Sequence, residues 1–196
     1  VIHEHVAWHS YKYNSIFNTR FLFIFRDSRA ALGGGILKMK NSNLEKKISS
    51  FQFDTIFLHM ISALKFITNR KNKNKCLVLL NEKMHINLTK EMKKLCKWLK
   101  IPFSTIFLKQ TFLKKKWRGE SSYLAKDELS KEPPKDFYLP TNVEKRWRSV
   151  LQNKDILMTE VLFEKQILLH KYKFDDQLNF AKRLNFKFCE KTIIFK

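Results

Sequence analysis

Arg26 follows a short apolar run, Phe21-Leu-Phe-Ile-Phe, and precedes Asp27-Ser28-Arg29. A strand that ends in a sharp turn and a helix presents oriented backbone N–H groups and a positive helix end, a layout that receives phosphate. Arg adds a planar, always-charged fork suited to the same anion. The plainer alternative is that Arg26 ends the strand and pairs with Asp27 or a surface acid. Arg29 is expected to be solvated. A second basic segment runs from Lys114 through Lys115 and Lys116 to Trp117, Arg118 and Gly119. It is either an anion-facing loop or a solvated one, and Trp117 is equally a stacking surface or a core aromatic. Upstream of the strand, His3-Glu4-His5 is the one cluster eligible to supply a base. With His9 it is also a weak metal pattern, but no carboxylate or Cys ligand follows, so no metal is expected. A frayed terminus is the competing reading of the same residues.

The chain that carries these residues has 196 amino acids, enough for one domain with a sizeable core. Hydrophobic residues make up 44%, which argues against disorder despite a net charge of +21. Such a charge favours polyanionic partners: nucleic acid, anionic membrane, or a phosphorylated or sulfated ligand. The basic residues are 31 Lys and 8 Arg, a ratio that AT-rich coding also produces. Residues 71–118 hold 14 Lys or Arg against two acids, Glu82 and Glu91, so the excess is central. Three cysteines, none at C-x-x-C spacing, argue against a disulfide scaffold or zinc ribbon. The five-residue run at 21–25 is too short to span a bilayer. A cytoplasmic location is expected, with the Golgi lumen as the alternative if an anchor lies upstream. In that compartment the Asn87-Leu-Thr sequon would matter.

The elements that must position the candidate residues follow from periodicity. Residues 20–26 read as a buried strand, with Ser28 capping a helix from Arg29. Residues 44–69 read as a helix, with Ile48, Phe51, Thr55, Leu58, Ile61, Leu64 and Ile67 as its stripe. Cys76-Leu-Val-Leu-Leu reads as a second buried strand. Thr89 is expected to cap the next helix, whose inner face carries Met92, Leu95, Cys96 and Leu99. Residues 109–141 read as irregular. Thr141 and Glu144 form a capping-box pattern, with Val143, Trp147, Val150 and Leu151 inward. A last helix is expected from about Asp155 to Tyr172, with Leu157, Val161, Leu168 and Tyr172 on one side. Strand–helix–strand–helix order implies an α/β layered fold with a parallel sheet, and a helix-rich second half packed on it.

Three stretches resemble the sulfotransferases that use 3′-phosphoadenosine 5′-phosphosulfate (PAPS), in their broad carbohydrate-type branch. Phe21 to Leu32 is similar to the family's strand plus Arg-Asp-Pro-Arg signature, with Ser28 where the family has Pro. Cys76 to Met84, followed by Leu95 to Phe103, resembles a strand ending in Tyr-Glu-Asp-Leu and a helix ending in Phe-Leu-Gly-Ile. Trp117-Arg-Gly-Glu-Ser-Ser, followed by Val143 to Leu151 and the helix to Tyr172, resembles the family's Trp-x-Gly-Asn-Ser-Ser segment and closing Trp-Arg-x-x-Leu helix pair. The three occur in family order over about residues 1–173, leaving 174–196 as a C-terminal extension of a single domain.

The resemblance implies a P-loop-NTPase-like three-layer fold and transfer of a sulfuryl group from PAPS to a hydroxyl or amine acceptor. It implies that Arg26 binds the 3′-phosphate. Gly34 stands where the family has a Ser on that phosphate, and N–H groups of the Gly33–Gly35 run could replace the hydroxyl. Lys116, Arg118 and Gly119 belong to the loop that folds over the nucleotide. Glu4 is implied as the base, with His3 in place of the usual Lys. The family's phosphosulfate-binding loop has no counterpart here, so the chain is expected to be the C-terminal two-thirds of such a domain. Two readings compete: a non-catalytic relative that keeps the fold, and a basic nucleic-acid-binding protein. The second is supported by charge alone, and no nucleic-acid partner is expected.

Overall fold

The computed structural model describes residues 7, 9–41, 49–109, 111–112, 115–116 and 138–175, with backbone alone for 38–41, 49–56 and the two pairs at 111–112 and 115–116. Its centre is a parallel pair of strands, β1 (Phe21–Phe25) and β2 (Cys76–Leu80), with Phe21 beside Cys76 and Phe25 beside Leu80. Both strands are the expected ones. Around them lie α1 (His9–Ile16), α2 (Ser28–Asn41), α3 (Ser49–Thr68), α4 (Asn81–Ile86), α5 (Leu88–Leu99), α6 (Pro140–Lys145), α7 (Asn153–Leu162) and α8 (Glu164–Leu169). The chain is thus mixed α/β and rich in helix, with a small parallel sheet. The segment expected to be irregular includes a minimal antiparallel pairing of Thr111–Phe112 with Lys115–Lys116, while 117–137 lie outside the described residues.

Period-two alternation divides the sheet's side chains between two faces. On one face Phe25 and Leu80 join Ala63 and Leu64 of α3 in a buried cluster, with Phe23, Ile67 and Val78 at its margin. Phe66 of α3 is fully buried, its ring edge-on to Phe21 at 4.8 Å. It lies outside the stripe expected for this helix, of which Leu58 is exposed. On the other face Leu77 and Leu79 are buried where α5 packs against β2. Their neighbours in register, Leu22 and Ile24, are 42% and 60% exposed. A second core lies between α2 and the C-terminal half, formed by Ala30, Trp147, Leu151 and Ile156.

The helix ends differ from expectation in an instructive way. Asp27, not Ser28, caps α2: its Oδ1 accepts the Arg29 N–H at 2.9 Å. Asn87, not Thr89, caps α5, accepting from the Lys90 N–H at 3.1 Å. The capping box falls at Gln152 and Asp155 rather than Thr141 and Glu144, whose helix instead opens on Pro140. In each case the side chain with the right geometry sits one or two residues before, or well away from, the best sequence pattern. The helix expected over 155–172 breaks at Phe163. The break changes its phase: Val161 is buried as expected, but Ile156, Thr159, Glu160, Phe163, Gln166, Ile167 and His170 are buried with it, and Leu168 is 60% exposed.

Candidate functional site

The register of β1 and β2 sets their carboxyl ends side by side, so the turn Arg26–Arg29 meets the start of α4. The meeting is bonded: the Asp27 N–H donates to Glu82 Oε1 at 3.1 Å, and Tyr172 Oη donates to Glu82 Oε2 at 2.7 Å. This is the end of a parallel sheet at which α/β folds hold ligands.

Arg29 dominates the geometry. It is 2% exposed, against the expectation of solvation. Its Nε and Nη2 donate to the two Asp27 oxygens at 3.0 and 2.7 Å, a fork on a carboxylate. Nη1 donates to Glu160 Oε1 at 2.6 Å, and Nη2 also to the Lys173 carbonyl at 2.8 Å. The guanidinium lies over the Trp147 ring at 4.4 Å. Arg148 lies over the same ring at 5.1 Å and pairs with Asp175 Oδ2 at 2.7 Å. The Asp175 N–H donates to Glu160 Oε1 at 2.6 Å. Burial opposes charge on Arg29, but Asp27 and Glu160 more than offset it and raise its pKa. Asp175, expected to lie in a C-terminal extension over 174–196, is 3% exposed and belongs to this network.

Electrostatics around the network are uneven. Burial raises the pKa of Glu82, although the Tyr172 hydroxyl and the Asp27 amide act the other way. Burial, then Glu82, raises that of Tyr172. His170 is 9% exposed, its ring 4.8 Å from Phe25, and its Nε2 has no hydrogen-bond partner among the described residues. Burial, with Lys83 and Lys94 adding to it, pulls its pKa down to about 4.

Arg26 itself is half-buried beside this network. Its carbonyl accepts from Gln166 Nε2 at 2.8 Å. Its charge acts on His85, which also feels Arg146 and stacks on Tyr138 at 5.1 Å. Burial first, then these two cations, lowers the His85 pKa. One turn separates His85 from Glu82 on α4, and α6, which leads into Arg146, packs on that helix. Arg26 and Arg146 therefore bring positive potential from two separate segments to the His85 ring.

The remaining expected residues fall elsewhere. Gly34 is buried in the second turn of α2, where N–H groups belong to the helix ladder. Its missing side chain favours close approach rather than a free donor. Lys116 lies in the short hairpin, its side chain outside the described part. His3, Glu4, Arg118 and Gly119 lie outside the described residues. Among the described residues no group of His, Cys, Asp and Glu could hold a metal ion, and no helix is long and apolar enough to cross a membrane. Sequence reasoning missed Glu82, Glu160, Asp175, His85 and Arg146. The one available signal was Asp27 beside an Arg two residues on, at the spacing of a local fork. No protein-family model, no curated protein and no solved structure matches the chain.

Proposed function

We propose that the carboxyl end of the parallel pair binds the 3′-phosphate of PAPS and that the chain serves a sulfotransferase. The observation that carries this reading is the meeting of distant stretches that resemble that family. The turn Arg26–Arg29, the start of α4 at Asn81–Glu82 and Trp147-Arg148 form one contiguous unit through Arg29 and Glu82. A P-loop-NTPase-like three-layer arrangement and a cytoplasmic location belong to the same reading.

In this reading Arg26 holds the 3′-phosphate, supported by the positive potential of Arg146, with His85 beside them as a hydrogen-bond donor. Gly34 lets the helix approach closely. Lys116, Arg118 and Gly119 close over the nucleotide. The acceptor, a hydroxyl or amine and a carbohydrate in the first instance, attacks sulfur. The bond from sulfur to the phosphate oxygen breaks, 3′,5′-adenosine bisphosphate leaves, and the acceptor proton passes to Glu4, oriented by His3. The buried Arg29 network does no chemistry. It fixes the backbone that aims Arg26.

Calorimetry with 3′,5′-adenosine bisphosphate tests this. Binding is expected, with Arg26→Ala weakening it by about tenfold or more, the worth of a charge-assisted hydrogen bond. The His85 titration, followed by NMR, is expected to move upward when the ligand is present, because an anion favours the charged ring. No binding, or binding indifferent to Arg26→Ala, would overturn the assignment.

A further inference from the structure

The opposite end of the sheet is built from different material. β1 and β2 are parallel, so their amino ends lie together, about 16 Å from the Arg26 turn at roughly 3.3 Å per residue. Three segments converge there. The end of α1 precedes β1. The 3₁₀ turn Arg70–Lys75 precedes β2. The end of α5 returns to the same place, because Arg20 Nη1 donates to the Trp98 carbonyl at 2.9 Å with its guanidinium over the Trp98 ring at 5.6 Å. The first two are bonded to each other: Lys75 Nζ donates to Asn14 Oδ1 at 3.1 Å and Asn14 Nδ2 to Asn72 Oδ1 at 3.3 Å.

Residues 9–20, 69–76 and 97–109 contain nine Lys or Arg and no Asp or Glu. The same end exposes large apolar side chains: Ile16 at 59%, Phe17 at 54%, and Leu99 and Ile101 at 42% each. Lys71, Lys73, Lys97 and Lys100 are exposed beside them. Apolar tips among acid-free lysines suit a surface that is negatively charged at its face and oily beneath. A nucleic acid would use the cations, but it offers nothing to exposed Ile16, Leu99 or Ile101. It would also favour Arg forks over Lys.

We propose that the amino end of the β1–β2 pair is a docking surface for an anionic lipid bilayer. The lysines of 70–75 and of the α5 end meet the headgroups, while Ile16, Phe17, Leu99 and Ile101 enter the interface. The Arg26 turn then faces away from the membrane and stays open to a ligand. The surface stands on its own residues and does not depend on what binds at Arg26.

Sedimentation of the full chain with vesicles tests it. Vesicles of equal parts phosphatidylcholine and phosphatidylserine are expected to carry the protein down, and phosphatidylcholine alone is not. Lys71→Glu with Lys73→Glu is expected to weaken binding by at least about tenfold, since each cation near an anionic surface is worth several-fold. Ile16→Ser with Phe17→Ser is expected to spare low-salt binding and abolish the part that survives high salt. Lys154→Glu with Lys165→Glu, a charge-matched pair on α7 and α8, is expected to bind like the parent. Thermal melts confirm that each variant is folded. Four results overturn the proposal: no sedimentation, equal sedimentation with phosphatidylcholine alone, equal loss in the α7–α8 pair, or tighter binding to single-stranded RNA that ignores Ile16→Ser and Phe17→Ser.

Discussion

The two ends of one short parallel sheet solve the problem of charge in opposite ways. At the carboxyl end Asp27, Glu82, Glu160 and Asp175 are buried, and each has a partner within hydrogen-bond reach. At the amino end the cations stand in solvent without an acid in the segments that carry them. A buried charge demands exact company, because an unpaired one costs several kcal/mol. An exposed charge demands none and contributes little to stability. The first end is therefore expected to govern folding, and the second encounter with a partner.

The largest break in this contrast should come from Arg29→Met. It leaves Asp27 and Glu160 buried without their cation, and urea unfolding is expected to show a loss of about 3–5 kcal/mol. A loss near zero would mean that solvent reaches these carboxylates. Acid should act next. The His170 pKa is depressed to about 4, so the unfolded chain binds the proton more readily between about pH 6.5 and 4. Its contribution is complete above that window and is lost as pH falls through it, by up to about 3 kcal/mol. Glu82, with its pKa raised, acts in the reverse sense and costs stability as pH rises past its unfolded value. Comparing pH–stability curves of the parent and His170→Phe isolates the His170 part: the slope in the window should flatten.

Smaller effects sharpen the comparison. Arg148 is partly exposed, but its partner Asp175 is not. Arg148→Ala is expected to cost about 1–3 kcal/mol in the same unfolding measurement, less than Arg29→Met. At the other end Lys71→Glu with Lys73→Glu should change stability by under about 0.5 kcal/mol while weakening vesicle binding by at least about tenfold. A large destabilisation there would erase the division of labour between the two ends.

What could be read from the chain before its structure divides along a physical line. β1 and β2 were legible because Phe21–Phe25 and Cys76–Leu80 are short apolar runs bounded by polar residues, and nothing distant is needed to define them. The parallel pairing was legible from the helices between them. Arg26 was legible as the cation at the end of the first strand. Arg29 was not, because an Arg is solvated unless acids meet it, and Glu160 is 131 residues away. The break at Phe163 was equally hidden: a single helical phase through 155–172 fits the apolar residues well enough. It misses the burial of Glu160 and Gln166, which bond to Arg29 and to the Arg26 carbonyl.

The length of chain between Arg29 and Glu160 has a consequence for synthesis. A ribosome adds roughly 5–20 residues per second, so Arg29 emerges many seconds before its far partner. During that interval Asp27, two residues away, is the partner already at hand, and the turn can hold its charge locally. Trp147, Glu160 and Asp175 leave the ribosome in that order, so the Asp175 amide that donates to Glu160 is the last of these partners to become available. A nascent chain halted before residue 160 lacks the carboxylate that accepts from Arg29 Nη1.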